Sequence, residues 1–97
     1  MAADFTINSA QTTENGGNTL DGSDMITVTT AGSISITSGS GIETSGDYNT
    51  VLVNGSISTT GRARHGIVNK DNNNATTLTG SVTTLGASSF GITNQGD

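Results

Sequence analysis

The chain has 97 residues, with no Cys, Pro or Trp, three Lys+Arg against eight Asp+Glu, and a formal charge of −5. That leaves room for one small domain or part of a larger one, and without cysteine it excludes disulfide frameworks, thiolate zinc sites and thiol nucleophiles. Three bases cannot neutralise a row of phosphates, which argues against nucleic acid as a partner, and no apolar run nears the ~20 residues that span a bilayer.

Thr (18), Gly (14), Ser (12) and Asn (10) make up more than half of the residues. Abundant Gly, Ser and Asn with little charge can describe a disordered polymer, but the excess of Thr over Pro and Lys favours strands. Periodicity decides. In chain order, Phe5 and Ile7 read as the first strand of an imperfect opening coil, with Leu20 roughly where its Gly-Ile segment should be. Then Gly32-Ser33-Ile34-Ser35, Gly55-Ser56-Ile57-Ser58 and Gly80-Ser81-Val82-Thr83 recur at separations of 23 and 25. Gly41-Ile42, Gly66-Ile67 and Gly91-Ile92 recur at 25 and 25. Val28-Thr29-Thr30, Val51-Leu52-Val53 and Thr76-Thr77-Leu78 precede the Gly-Ser pairs as a third landmark.

Each copy thus holds three short segments with alternating inward and outward side chains, separated by turn residues such as Ser45-Gly46-Asp47 and Lys70 to Asn74. No 3.6-residue apolar stripe appears, so helices are not expected. Three short strands per 23–25 residues describe an all-β solenoid, a parallel β-helix of about four coils. One coil cannot bury its apolar residues, whereas stacked coils make continuous interior columns about 4.8 Å per step. The expected columns are Ile34/Ile57/Val82, Ile42/Ile67/Ile92, Val28/Val51/Thr76 and Thr30/Val53/Leu78. Residues 1–30 read as an irregular capping coil and 31–97 as solenoid repeats (31–53, 54–78 and 79–97) in one continuous domain, a fragment of a longer solenoid. The two-residue shortening is expected between Ile36 and Gly41.

The runs Gly55 to Gly61 and Ala63-Arg64-His65-Gly66-Ile67, repeated as Gly80 to Gly86 and Ser88-Ser89-Phe90-Gly91-Ile92, resemble bacterial autotransporter passenger domains. The opening, Ala3-Asp4-Phe5-Thr6-Ile7 through Asn18-Thr19-Leu20-Asp21-Gly22, looks like the start of such a passenger. The resemblance covers nearly the whole chain and implies a right-handed winding. It also implies export to the surface of a Gram-negative bacterium and a non-enzymatic structural or adhesin role, with no cofactor. The alternative is a self-assembling module whose open end stacks on other copies into oligomers or fibres. Host or matrix glycans and proteins are the remaining candidate partners.

Three groups of side chains are candidate sites. Arg62, Arg64 and Lys70 form the one basic cluster and suit an anionic ligand, although the next coil replaces Arg62 to His65 with Ala87 to Phe90. Asp24, Asp47, Asn72 and Asp97 fall in one expected turn column, where stacked carboxylates would repel by about 1 kcal/mol and could take Ca²⁺ between rungs. Against this, the calcium-binding Gly-Gly-x-Gly-x-Asp repeat is missing. Ser33/Ser35, Ser56/Ser58 and Ser81/Thr83 place two hydroxyl files on an outer face, read as surface ladders. Asn69 and Asn94 read as an amide ladder in a turn. His65 is the sole histidine, with Ser40 and Phe90 as column neighbours, and Glu14, Glu43 and Asp71 do not converge, so no catalytic set is expected.

Overall fold

The computed structural model describes residues 3–37, 39–62 and 65–94. Eleven strands run through them: β1 Asp4–Ile7, β2 Ala10–Gln11, β3 Met25–Val28, β4 Ser33–Ile36, β5 Ile42–Thr44, β6 Thr50–Val53, β7 Ser56–Thr59, β8 Ile67–Asn69, β9 Ala75–Leu78, β10 Ser81–Thr84 and β11 Ile92–Asn94. They form three parallel sheets, β1-β3-β6-β9, β2-β4-β7-β10 and β5-β8-β11. Each strand pairs with its counterpart one lap away, so the architecture is a parallel β-solenoid. Its three laps with a strand on every face stand on a first lap that carries only β1 and β2.

The core follows from this stacking. Ile34 pairs with Ile57 and Ile57 with Val82, while Ile42, Ile67 and Ile92 lie in one file. A single buried cluster joins Ile34, Ile57, Ile42 and Ile67 to Ile7, Leu20, Ile26, Val28, Ile36, Val51 and Val53, with Val82 packed against it. Outward positions carry the hydroxyls, with Ser33, Ser56 and Ser81 in one file and Ser35, Ser58 and Thr83 in the other. The alternation expected of β4 and β7 is therefore present on both faces.

The register of the β1-β3-β6-β9 sheet differs from the sequence reading. Val51 sits over Ile26, not Val28, and Val53 sits over Val28, not Thr30. The lap from β3 to β6 is 25 residues, because the connection 29–32 is two residues longer than Asn54-Gly55. The connection 37–41 is then two shorter than 60–66, as expected, and the two changes cancel. Lap length is held by turns that trade residues with one another. Thr30 consequently lies in a turn and contributes nothing to the core.

The first lap closes without a third strand. A 3₁₀ turn, Glu14–Gly17, takes its place, with Asn15 at φ 56. The side chain of Asn15 donates to the Glu43 carbonyl at 2.9 Å and accepts the Glu43 N–H at 2.8 Å. An amide side chain thereby imitates a strand partner for β5, satisfying backbone groups that would otherwise be unpaired. Leu20 bridges to Thr44 beside it and is fully buried, in keeping with its expected place near the Gly-Ile segment.

Candidate functional site

The acidic turn column is rearranged by the register. Met25 pairs with Thr50 and Thr50 with Ala75, which places Asp24 under Asn49 and Asn49 under Asn74, not under Asp47. Asp47 belongs to a neighbouring position, where its Oδ1 accepts the Asn72 N–H at 2.9 Å. Asp97 lies outside the described residues. Among the described residues, Asp24 and Asp47 are therefore not stacked on each other, and the repulsion between them that would have invited a cation does not arise. Among the described residues, no three His, Asp or Glu side chains gather into a metal-holding group.

What the column does is cap backbone. Asp24 accepts the N–H of Ala3 at 2.9 Å and of Asp21 at 3.0 Å. Asn49 Oδ1 accepts the N–H of Gly22 at 3.2 Å and of Asp24 at 3.1 Å, while its Nδ2 donates to the carbonyls of Ser45 and Gly46. Asn74 Oδ1 in turn accepts the Asn49 N–H at 2.7 Å. Each side chain thus stitches its own turn to the lap beside it. An isolated Asp or Asn in a Gly-rich loop reads as ordinary turn chemistry, so only the 25-residue offset could have revealed this ladder.

The Asp21 N–H, then the Ala3 N–H, hold the Asp24 carboxyl below the usual carboxylate range, against an opposing effect of burial. A folded-state pKa below the unfolded value of ~3.9 gives stability that is present above that value and is lost as pH falls through the folded pKa. Thermal melts from neutral pH to strong acid are expected to show a falling midpoint below about pH 4. In Asp24→Asn, the midpoint should start lower at neutral pH and lose part of its acid dependence. An unchanged acid slope in that variant would remove Asp24 from this role.

Two of the three expected basic residues fall among the described ones. Arg62 is exposed in the β7–β8 connection, Lys70 follows β8, and Arg64 lies outside the described residues. Lys70 Nζ pairs with Glu43 Oε2 at 3.4 Å across two laps. This pair edges a groove of about 280 Å³, lined also by Glu14, Asn18, Thr19 and Ser45. Two carboxylates and one ammonium make the groove a poor match for an anionic ligand. The groove is built from three laps, and nothing in the linear order of Glu14, Glu43 and Lys70 reveals it.

His65 stands between the column neighbours expected of it. Its N–H reaches Ser40 Oγ at 3.4 Å, its Nδ1 accepts the Phe90 N–H at 2.9 Å, and its ring stacks on Phe90 with centroids 5.3 Å apart. Asn69 departs from its expected turn position. It closes β8, is buried, and accepts from Thr44 Oγ1 at 2.9 Å while donating to Thr76 Oγ1 at 2.7 Å. The upper interior is accordingly part polar: Thr44, Asn69 and Thr76 are paired with one another there, whereas the buried Thr93 Oγ1 has no hydrogen-bond partner among the described residues. Comparison with protein-family models, with characterised proteins and with solved structures returns no match for this chain.

Proposed function

We propose that this chain is a non-enzymatic rod segment of a secreted cell-surface protein, similar in design to an autotransporter passenger on a Gram-negative outer membrane. The observation that carries this reading is the pairing of a hydrogen-bonded lap on every face with outward files of Ser and Thr. Such a solenoid turns a low-complexity sequence into a stiff body, and each added lap lengthens it by about 4.8 Å. The hydroxyl and amide faces offer many weak polar contacts to a glycan or matrix protein. His65 fits a packing role in this reading, since its Nδ1 is engaged by backbone.

The test is display of the chain as a fusion on an outer-membrane barrel, followed by arrays of glycans and matrix proteins. Retention of the displaying cells, weakened when Ser35, Ser58 and Thr83 are replaced together by Lys, is the expected result. Cleavage of a polysaccharide such as polygalacturonate by the purified chain would overturn the non-enzymatic reading.

A further inference from the structure

The groove of about 280 Å³ lies where the first lap lacks a third strand. Asn15, Asn18 and Leu20 line it from that lap, Glu43 and Ser45 from the second and Lys70 from the third. Its lining is one-sided in hydrogen bonding. Amide and hydroxyl donors are spent within the fold: Asn15 Nδ2 donates to the Glu43 carbonyl at 2.9 Å, Asn18 Nδ2 to the Asn15 carbonyl at 3.0 Å, and Ser45 Oγ to the Leu20 carbonyl at 3.3 Å. What Asn18 and Ser45 have left to offer is oxygen, the amide Oδ1 and the hydroxyl lone pairs, beside the carboxylates of Glu14 and Glu43.

An ammonium already rests against this wall. Lys70 Nζ lies 3.4 Å from Glu43 Oε2, and the two side chains are 45% and 37% exposed, so the pair is held loosely enough to exchange for another cation. Two carboxylates against one ammonium leave the groove with a net negative charge even when Lys70 is in place. An organic ammonium suits it better than a metal ion. Among the described residues no three His, Asp or Glu side chains gather there, and the Lys70 charge opposes a divalent cation.

We propose that this groove binds one sugar residue carrying a free ammonium, a hexosamine unit of a glycan. The carboxylates of Glu14 and Glu43 take the ammonium, and ring hydroxyls donate to Asn18 Oδ1 and Ser45 Oγ. Size and donor pattern select this class. A volume of about 280 Å³ lies just under the ~300 Å³ at which pockets for drug-sized ligands begin, which is room for one ring. The acceptors are spread along the lining, so the ligand has to donate on several sides. A sugar ring does, whereas a polyamine separates its donors by methylenes that need an apolar wall. Leu20, the apolar side chain of the lining, is 1% exposed and offers almost none. The choice of a sugar rests on the reading of this protein as a glycan-contacting surface; the preference for an ammonium rests on the groove alone.

Amide proton–nitrogen NMR spectra of the intact chain, titrated with glucosamine hydrochloride at low ionic strength where exposed charges are least screened, are the test. Shifts are expected at Asn18, Thr19, Glu43 and Ser45, saturating in the millimolar range, with glucose and N-acetylglucosamine at least about threefold weaker. Glu43→Gln should weaken glucosamine by at least about threefold, and it leaves the backbone bonds from Glu43 to Asn15 in place. Lys70→Ala should tighten glucosamine by about threefold, because it removes the resident ammonium; a merely structural role for Lys70 predicts no gain. The sugar comparison reads the wild-type chain and stands even if a variant does not fold. No shift with glucosamine, equal shifts with N-acetylglucosamine, or tighter binding of spermidine or Ca²⁺ at the same amides would each overturn the proposal. Shifts confined to β4, β7 and β10 would overturn it too, but would leave glycan contact through the outward hydroxyl files standing, so the two readings fail separately.

Discussion

Gly55→Ala is expected to disrupt the solenoid at its second turn, although the change adds one methyl group. A Cβ on Gly55 would fall on the carbonyl oxygens of Thr29 and Gly32, with Val28 Cγ1 3.1 Å away. The obstructing atoms are backbone and belong to the lap beneath, so a rotamer change cannot relieve the clash. That lap is tied to this one where the methyl would enter. Gly55 N–H donates to the Val28 carbonyl at 3.1 Å, and Asn54 N–H donates to it at 2.8 Å. Overpacking costs about 1–3 kcal/mol and each lost hydrogen bond about 1 more, for a total on the order of 3–5 kcal/mol. For a domain of this size the midpoint of a thermal melt should fall by roughly 12 °C or more. Gly91→Ala is the matched comparison, because its Cβ would meet only Val82 Cγ1 at 3.9 Å. Its midpoint should move by a few degrees at most. Equal effects of the two substitutions would show that the lap spacing is not set at the Gly-Ser pair.

The same glycine illustrates how far the fold was legible. Gly-Ser-Ile-Ser stands out because three constraints coincide in it: a glycine pressed on the carbonyls of the previous lap, an inward Ile, and an outward hydroxyl on either side. A pattern fixed by both backbone contact and burial survives in sequence as a repeat, and the files of Ile34 and Ile42 follow from it. The Val28 file was misread because its strand is bounded by a turn of variable length. Thr29 to Gly32 adds two residues that leave no mark in composition, and Val28-Thr29-Thr30 then imitates Val51-Leu52-Val53. Sites were less legible than folds for a related reason. Asp24, Asn49 and Asn74 act through carbonyl-like side-chain oxygens that cap backbone N–H groups. Asp and Asn serve that purpose interchangeably, so the column has no signature residue. Glu43 and Lys70 meet only because laps stack, and Asn15 replaces a strand that the sequence does not contain.

Position along the solenoid axis, rather than residue type, should set the cost of removing an interior methyl cluster. Ile67 and Ile92 occupy the same file and follow the same Gly, yet Ile67 is roofed and floored while Ile92 has one open side. Ile67→Ala removes side-chain atoms packed between Ile42 below and Ile92 above, and its neighbours are held by ladder bonds that prevent collapse into the space. A cost of about 2–5 kcal/mol is expected, a large share of the ~5–15 kcal/mol that stabilises a domain. Ile92→Ala loses only partial burial and should cost about 1 kcal/mol by the area it withdraws from water. Because laps contact only their neighbours, stability is close to a sum of lap and interface terms. Ile67→Ala weakens two such interfaces, the β5–β8 and the β8–β11 pairings, whereas Ile92→Ala weakens one. Urea unfolding of both variants measures the ratio directly.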